Sequence, residues 1–289
     1  MLKGLFSVGT GGKKRRRGRA PRLKKRKKSG RIPKNALTPY GRGSGRRLSG
    51  GAGHLDDLRE EFRSRTEALV GAEGIAALKE AAVLVCGLGG VGGYVVEALA
   101  RAGVGRIGLL DGDVVAPSNL NRQILALTDT VGMKKTEAAA RRIALINPDC
   151  RTDVYDMFYL PDTADSVPLA EYDWVADAVD TVVAKAELIC RAKAANVGIV
   201  SSMGTGNKLN TSFEICDISE TSVCPLARAV RKQLRDRGIE RGVDVLYSRE
   251  EPLTHGSRIP ASISYVPAAA GLMIAGHIIK SIIGGARKL

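Results

Sequence analysis

Residues 82–93, which read AVLVCGLGGVGG, decide the fold of this chain. The first five are apolar, as in a buried strand, and the glycines after them lead directly into a helix predicted over Gly93–Ala102. Glycine lets backbone N–H groups approach a phosphate, and a helix N-terminus favours the negative charge that a phosphate carries. The turn therefore predicts a nucleotide site. Its candidate phosphate-binding residues are Gly87, Gly89, Gly90 and Gly92.

Strands and helices alternate regularly around this turn, after two short helices predicted over Asp56–Leu69 and Gly74–Glu80. The predicted strands are Ala82–Cys86, Arg106–Leu110, Arg151–Tyr155, Asp173–Asp177 and Gly198–Ser202. Further helices are predicted over Met133–Leu145 and Val183–Asn196. This βαβ order indicates an α/β fold with a doubly wound, Rossmann-like, mostly parallel sheet.

The character of the sequence changes after Gly204. Strand-like segments at 212–217 and 243–247 flank a basic helix predicted over Pro225–Arg237, and a helix after Pro267 returns the chain to the core. These features predict an appended C-terminal half, and not a separate domain.

The positive charge of the chain is concentrated in its first 50 residues. The formal net charge is +15, but residues 1–50 hold 18 of the 45 Lys and Arg and none of the 30 Asp and Glu. The remainder therefore has 27 basic against 30 acidic side chains, a net charge of −3. A segment of this composition buries too little apolar surface to fold. We expect a disordered basic tail over residues 1–53 and a globular domain over residues 54–289.

The most apolar segment, Ala268–Ile283, contains His277 and Lys280 and falls short of the roughly 18 to 20 uncharged residues of a membrane span. We predict a buried terminal helix and no membrane span. The five cysteines are an odd number without a CxxC pair, which argues against a zinc site and favours a reducing compartment. The cytoplasm is the expected location, and organellar import is the alternative if the Arg-rich leader is a transit peptide.

Charged residues after the later strands refine the nucleotide prediction. Asp111 ends the second strand, where a carboxylate accepts hydrogen bonds from ribose hydroxyls. On the glycines alone, a plain NAD-binding fold is the favoured interpretation. Arg122 and Lys135 favour a nucleoside triphosphate instead, because a triphosphate that loses pyrophosphate needs cations over its β and γ phosphates. Asp180, after another strand, suits Mg²⁺, which prefers one or two carboxylates together with phosphate oxygens.

These residues, together with the loop Ser118–Gln123, resemble the ATP-adenylating superfamily of the ubiquitin-activating and sulfur-carrier activating enzymes. Within it, further motifs are similar to the tRNA threonylcarbamoyladenosine dehydratases, over roughly residues 64–284. These motifs are Arg65-Thr66-Glu67, residues 125–131, 146–148, 201–204 and 221–227, and Tyr247-Ser248.

The resemblance implies that residues 54–289 form an E1-like ATP-adenylating domain, with ATP and Mg²⁺ as cofactors and tRNA as substrate. Such a domain adenylates the carboxylate of the threonylcarbamoyl group on a tRNA adenosine, and the adduct then cyclises with loss of AMP. By the same resemblance, Asp111 binds the ribose and Asp180 the Mg²⁺. The residues implied in phosphate binding and in-line attack are Asn119, Arg122, Gln123 and Lys135.

Arg65 resembles an arginine that reaches the nucleotide of the other subunit, which implies a homodimer. Because the segment Phe62–Arg65 is one residue longer than the usual pattern, Arg63 is the alternative. The other function class is adenylation of the C-terminal glycine of a ubiquitin-like sulfur carrier, with a sulfur-transfer protein as partner. The missing CxxC pairs lower this alternative. Cys224 is open to interpretation as a catalytic thiol, but a buried or capping role is favoured.

The predicted basic helix is the candidate contact to tRNA. Cations on a helix usually form only a solvated face, but these stand in a body that is otherwise net acidic, and affinity for RNA is largely electrostatic. The candidate RNA-binding residues are Arg228, Arg231, Lys232 and Arg235.

Overall fold

The computed structural model describes residues 52–253 and 260–287. Within them the helices are α1 (Ala52–Glu80), α2 (Gly92–Ala102), α3 (Lys135–Ile146), α4 (Val182–Ala194), α5 (Pro225–Arg235) and α6 (Tyr265–Arg287). The strands are β1 (Ala82–Cys86), β2 (Arg106–Leu110), β3 (Arg151–Tyr155), β4 (Trp174–Asp177), β5 (Gly198–Ser202), β6 (Glu214–Asp217) and β7 (Asp244–Tyr247). The predicted tail over residues 1–53 lies outside the described residues, except for residues 52 and 53, which begin α1.

The seven strands form one sheet in the order β3-β2-β1-β4-β5-β7-β6. Every neighbouring pair is parallel except β6 with β7, so the prediction of a doubly wound, mostly parallel sheet is confirmed. The appended half adds β7 and β6 to the same sheet. The strand order reverses between β1 and β4, and ligands bind outside the carboxyl ends of strands at such a switch. The residues that follow β1, β2 and β4 therefore share one edge.

Helices cover both faces of this sheet. On one face α2, α3 and α6 form a core in which Leu99 and Ile274 are fully buried. On the other face α4 and α5 bury Leu188 and Leu234 completely. Because burial of one such side chain contributes roughly 1.5 to 3 kcal/mol, these two layers hold the strand ends in fixed positions.

Several helix boundaries differ from the sequence-based prediction. Helices α2 and α4 each begin one residue earlier than predicted, at Gly92 and Val182, and α4 ends two residues earlier, at Ala194. The two predicted N-terminal helices are the two parts of α1, which is kinked at Gly71, where φ is 77° and ψ is 170°. Helix α3 begins at Lys135 and not at Met133, because Lys134 forms an extended bridge with Val114. Helix α5 ends at Arg235, two residues earlier than predicted.

Helix α6 is long and apolar enough to cross a membrane, by length and composition alone. Residues 265–285 have a mean hydropathy of 1.6, and 44% of the most apolar window is buried inside the protein. Ala270, Ile274 and Ile278 are fully buried, and α1 and α2 pack along the helix. The prediction of a buried terminal helix is confirmed for this face of α6.

Candidate nucleotide site

The glycine turn after β1 leaves no room for side chains at two positions. Gly87 has a left-handed φ of 85°, and a Cβ there would lie 2.7 Å from the carbonyl oxygen of Ala178. A Cβ at Gly92 would lie 1.8 Å from the carbonyl oxygen of Gly87. At Gly89 the nearest atom to a Cβ would be Nε2 of Gln123, at 3.8 Å. The turn is therefore closed on the protein side and open at Gly89, where a phosphate can approach the backbone.

Asp111 and Lys135 lie side by side next to this turn. Oδ2 of Asp111 accepts a hydrogen bond from the backbone N–H of Leu88 at 2.7 Å, and Nζ of Lys135 is 3.6 Å from the same oxygen. Both residues are more than nine-tenths buried. Asp111 follows β2 and Lys135 is the first residue of α3, so the structure brings together two of the predicted site residues.

Sequence reasoning missed Asp113, the principal partner of Lys135. Oδ2 of Asp113 accepts a hydrogen bond from Nζ of Lys135 at 2.7 Å, and its backbone N–H donates to Oδ1 of Asp111 at 2.8 Å. The ammonium group is thus held between one buried and one exposed carboxylate. The signal in the sequence is the Asp-Gly-Asp spacing over 111–113, which directs two carboxylates toward the following helix.

Asn119 fixes the loop that carries the predicted phosphate ligands. Its Oδ1 accepts a hydrogen bond from the backbone N–H of Ala116 at 3.0 Å, and a short 3₁₀ turn over Pro117–Asn119 follows β2. The side chain that the resemblance assigned to the nucleotide is thus partly occupied in shaping its own loop.

Arg122 and Gln123 reach the glycine turn. The Arg122 guanidinium donates to the carbonyl oxygen of Ser118 at 3.0 Å, and its Cγ lies 3.5 Å from where a Cβ of Gly90 would be. Gln123 is buried, and among the described residues its Oε1 has no hydrogen-bond partner. Both residues therefore have polar atoms available at the mouth of the turn.

Asp180 lies at the carboxyl end of β4, one strand from the glycine turn. Its carboxylate is exposed and accepts a long hydrogen bond, 3.4 Å, from the hydroxyl of Thr181. The described residues contain no cluster of three or more His, Cys, Asp or Glu side chains that would hold a metal ion by itself. A cation at Asp180 would therefore complete its shell with phosphate oxygens and water, as Mg²⁺ does.

The two candidate arginines of α1 differ in their contacts. The Arg63 guanidinium lies 3.3 Å from the carboxylate of Asp149. Arg65 is exposed, and no ion pair is recorded for it within the described residues. Among the described residues, no hydrogen bond or ion pair joins Arg65 to the glycine turn of its own chain.

Three of the four predicted RNA-binding cations share one exposed side of α5, because residues three and four apart lie on the same side of a helix. We call Arg228, Lys232 and Arg235 the basic face. Arg231 points elsewhere and donates hydrogen bonds to the carbonyl and hydroxyl oxygens of Thr221. Arg231 thus anchors the loop that leads into α5 and is not a free cation.

The cysteine that precedes α5 is buried. Cys224 is 4% exposed and packs in the apolar core, and its Sγ lies 3.5 Å from where a Cβ of Gly204 would be. The interpretation of Cys224 as a buried residue is therefore confirmed. Burial, reinforced by the charge of Asp177, also raises the pKa of the Cys86 thiol at the end of β1 well above its ordinary value.

A separate cavity of about 360 Å³ opens at the amino-terminal edge of the sheet and is lined in part by Trp174, Lys193 and Asp244. Asp244 also pairs with His277 of α6 at 3.0 Å. None of the predicted site residues lines this cavity. They lie at the opposite edge of the sheet, where the strands have their carboxyl ends, and that edge is the candidate nucleotide site.

Known proteins resemble this chain in sequence and in structure. The model of the ThiF family matches residues 63–288. A tRNA threonylcarbamoyladenosine dehydratase of Bacillus subtilis (strain 168) is 40% identical over 238 residues, which are 76% of this chain and 94% of that protein. A sulfur carrier protein adenylyltransferase of Thermus thermophilus is 42% identical over 125 residues, but these are only 43% of this chain and 46% of that protein.

Two crystal structures of the E. coli tRNA N6-threonylcarbamoyladenosine dehydratase superimpose closely on this chain. The complex with ATP gives a TM-score of 0.75 at 35% identity and covers 80% of this chain and 98% of that one. The complex with AMP gives a TM-score of 0.77 at 34% identity and covers 81% and 98%. The similarity to these dehydratase structures thus extends over about four-fifths of this chain.

Proposed function

The chain belongs to the ThiF family, and we propose that it is an ATP-dependent dehydratase that cyclises N6-threonylcarbamoyladenosine in tRNA. The observation that carries this proposal is the extent of the match, because the dehydratase of B. subtilis aligns over 94% of its own length. The adenylyltransferase of T. thermophilus aligns over less than half. The reaction also requires a nucleotide site, and the proximity of the glycine turn, Asp111 and Lys135 at one edge of this sheet supports such a site there.

The proposed reaction has two steps, and its atoms balance. An oxygen of the substrate carboxylate attacks the α phosphorus of ATP, and the bond to the β phosphate breaks, so pyrophosphate leaves with the electron pair. An atom of the carbamoyl group then attacks the activated carbonyl carbon, a carbamoyl N–H group gives up its proton to solvent, and AMP leaves with the former carboxylate oxygen. The net change is the loss of one water from the nucleoside, driven by conversion of ATP to AMP and pyrophosphate.

The protein's own residues bind and orient the nucleotide in this proposal. Asp111 accepts hydrogen bonds from the ribose, and the open position at Gly89 lets the backbone N–H groups contact phosphate. Lys135 and Arg122 stabilise the charge that develops on the leaving pyrophosphate, which in such a preorganised site is worth several kcal/mol of barrier. To do so, the Lys135 ammonium group must exchange part of its contact with Asp113 for a contact with phosphate. Because Asp113 is exposed, water can replace the lost hydrogen bond, and the free-energy cost of this exchange is small. Gln123 and Asn119 complete the polar lining.

Mg²⁺ fits the donor set at Asp180. The Asp180 carboxylate is exposed, and carboxylate oxygens are the ligands that Mg²⁺ prefers. Its hydrogen bond from Thr181 is long, so the carboxylate is available to bind a cation. When bound, Mg²⁺ neutralises phosphate charge and favours departure of pyrophosphate.

We propose that the enzyme is a homodimer in which Arg65 completes the site of the partner subunit. Two observations support this proposal. Arg65 is exposed, and it forms no ion pair with any described residue of its own chain. Arg63 is already paired with Asp149, which makes it the weaker candidate.

The basic face of α5 is the proposed contact to tRNA. Its three side chains are exposed, and no carboxylate of the described residues lies within ion-pairing distance of them, so they are available to phosphates. Because α5 is packed on α4, these charges are fixed relative to the nucleotide edge. The cytoplasm, where tRNA is modified, is the proposed location.

Nucleoside mass analysis tests the function directly. Purified enzyme is incubated with Mg²⁺, ATP and tRNA that carries N6-threonylcarbamoyladenosine. The tRNA is then digested to nucleosides, and their masses are measured by mass spectrometry. We expect loss of the mass of one water together with stoichiometric AMP. Omission of ATP and the Lys135→Ala variant serve as controls. Unchanged nucleoside mass, with ATP–pyrophosphate exchange stimulated by a sulfur carrier protein, would favour the alternative function instead.

A further inference from the structure

A polar triad that contains an ion pair is fully buried next to the segment that leads from β4 to Asp180. Asp177, the last residue of β4, and Lys185, in α4, are both 0% exposed, as is Ser201 of β5. We call these three residues the buried triad.

The buried triad is closely hydrogen-bonded through one carboxylate oxygen. Oδ2 of Asp177 accepts a hydrogen bond from the Ser201 hydroxyl at 2.5 Å and one from Nζ of Lys185 at 3.0 Å. Nζ of Lys185 also lies 3.2 Å from the Ser201 hydroxyl. The side chains of Lys185 and Ser201 therefore hold this oxygen of Asp177 in one position.

The other carboxylate oxygen reaches forward into the segment that ends at Asp180. Oδ1 of Asp177 accepts a hydrogen bond from the backbone N–H of Val179 at 3.1 Å. On the opposite side, the backbone N–H of Ala178 donates to the carbonyl oxygen of Cys86 at 2.8 Å. Residues 178–180 are thus held between the buried triad and the last residue before the glycine turn.

Stability alone is a poor explanation for this arrangement. The desolvation of two buried charges often outweighs their attraction, so that apolar residues of similar volume stabilise a core as well or better. A fully hydrogen-bonded buried network instead specifies one geometry. Here the geometry that it specifies is the path of the backbone into Asp180.

We propose that Lys185, Asp177 and Ser201 are positioning residues that set the orientation of Asp180 toward Mg²⁺. The inference rests on the proposed role of Asp180 as the metal ligand. Lys185 and Ser201 fix the Asp177 carboxylate, Asp177 fixes the amide of Val179, and that amide fixes the turn one residue before the metal ligand. All three are fully buried, so the proposal assigns none of them a contact with the nucleotide or the metal.

Two double variants separate positioning from the burial of charge. Asp177→Ala/Lys185→Met and Asp177→Asn/Lys185→Met both remove the ion pair without leaving a lone buried charge. Only the second retains a side-chain oxygen that accepts from Val179. We expect amide hydrogen exchange at Val179 to accelerate at least tenfold in the alanine variant and to stay within about threefold of wild type in the asparagine variant.

The second measurement is the Mg²⁺ dependence of ATP binding, followed by calorimetry without turnover. We expect the Mg²⁺ concentration that half-maximally tightens ATP binding to rise at least fivefold in the alanine variant and less than twofold in the asparagine variant. If the alanine variant does not fold, Ser201→Ala removes one hydrogen bond from the same oxygen and should show a smaller change of the same sign in both measurements.

Asp180→Asn is the matched control, because it removes the metal ligand and leaves the buried triad intact. It should raise the Mg²⁺ requirement without accelerating exchange at Val179. The positioning role alone is overturned by the following pair of results. The Asp177→Ala/Lys185→Met variant folds and keeps the wild-type Mg²⁺ dependence of ATP binding, whereas the Asp180→Asn variant has lost that dependence. An unchanged Mg²⁺ dependence in Asp180→Asn overturns the metal role of Asp180, and the positioning proposal with it.

Discussion

Two glycines of the same turn provide the sharpest test of the nucleotide site, because alanine should affect them in opposite ways. At Gly89 a Cβ would meet nothing closer than Nε2 of Gln123, at 3.8 Å, and the backbone is not left-handed. Gly89→Ala therefore adds a methyl without strain, and reduced freedom of the unfolded chain raises the free energy of unfolding by up to about 1 kcal/mol. The methyl fills the space through which a phosphate reaches the backbone, so ATP affinity should fall at least tenfold, or about 1.4 kcal/mol.

Gly92 is the opposite case. Its Cβ would lie 1.8 Å from the carbonyl oxygen of Gly87, whereas a close C···O contact is about 3.3 Å. The backbone would have to move by about 1.5 Å, and such overpacking costs ~1–3 kcal/mol or more. Gly92→Ala should therefore lower the free energy of unfolding.

Urea unfolding and calorimetric titration with ATP measure both quantities on the same protein samples. Wild-type ATP affinity in a stable Gly89→Ala variant would refute the assignment of the open glycine to phosphate binding. Wild-type stability of Gly92→Ala would refute the steric argument for the closed side of the turn.

The remaining predictions concern the charges of the site and a thiol. Asp180→Ala and Lys135→Ala should each lower ATP–pyrophosphate exchange at least 100-fold, because charge stabilisation is lost. The protein should still melt cooperatively, because Asp113, the principal partner that Lys135 leaves behind, is exposed to water; near wild-type exchange would contradict the site. Mixing Arg65→Ala subunits with Lys135→Ala subunits should restore activity at one site of each mixed dimer, and no recovery despite proven subunit exchange would exclude a shared site. Deletion of residues 1–50 should weaken tRNA binding mainly at low salt, whereas alanine at all three positions of the basic face should lower turnover even at saturating tRNA; the reverse result would refute this division. Burial raises the pKa of the Cys216 thiol to about 11, so its alkylation, followed by mass spectrometry, should accelerate roughly 100-fold between pH 8 and pH 10, against about fourfold for an ordinary thiol.

The parts of the site that a local pattern encodes were predictable from the sequence. The glycine turn and Asp111 each follow an apolar strand, and the parallel sheet brings such positions to one edge. Lys135 was predictable as a cation at the start of the next helix. The alternation of elements similarly predicted the sheet, because buried parallel strands are short apolar segments between helices.

Contacts between distant positions were not predictable in this way. The buried triad joins residues from β4, α4 and β5, and nothing in the spacing of Asp177, Lys185 and Ser201 reveals that all three point inward. Arg231 differs from its neighbours in α5 only in facing Thr221, a distinction of helix rotation that the charge pattern does not contain. The start of α3 was misplaced for a similar reason, because the bridge between Val114 and Lys134 depends on a loop that returns to β2.

The position of β7 has a consequence for which part of the chain covers the glycine turn. Because β7 runs parallel to β5, the chain after Tyr247 leaves the sheet at the edge that carries the nucleotide site. The returning chain closes against that site, with Pro267 packed 3.1 Å from where a Cβ of Gly90 would be, and the carbonyl oxygen of Ser262 accepting from Asn121. Residues 82–202 thus carry the glycine turn, Asp111, Lys135 and Asp180, whereas the chain after β7 covers the turn at Gly90. We expect substitutions in this covering segment to alter what reaches the turn without disturbing the strands beneath it.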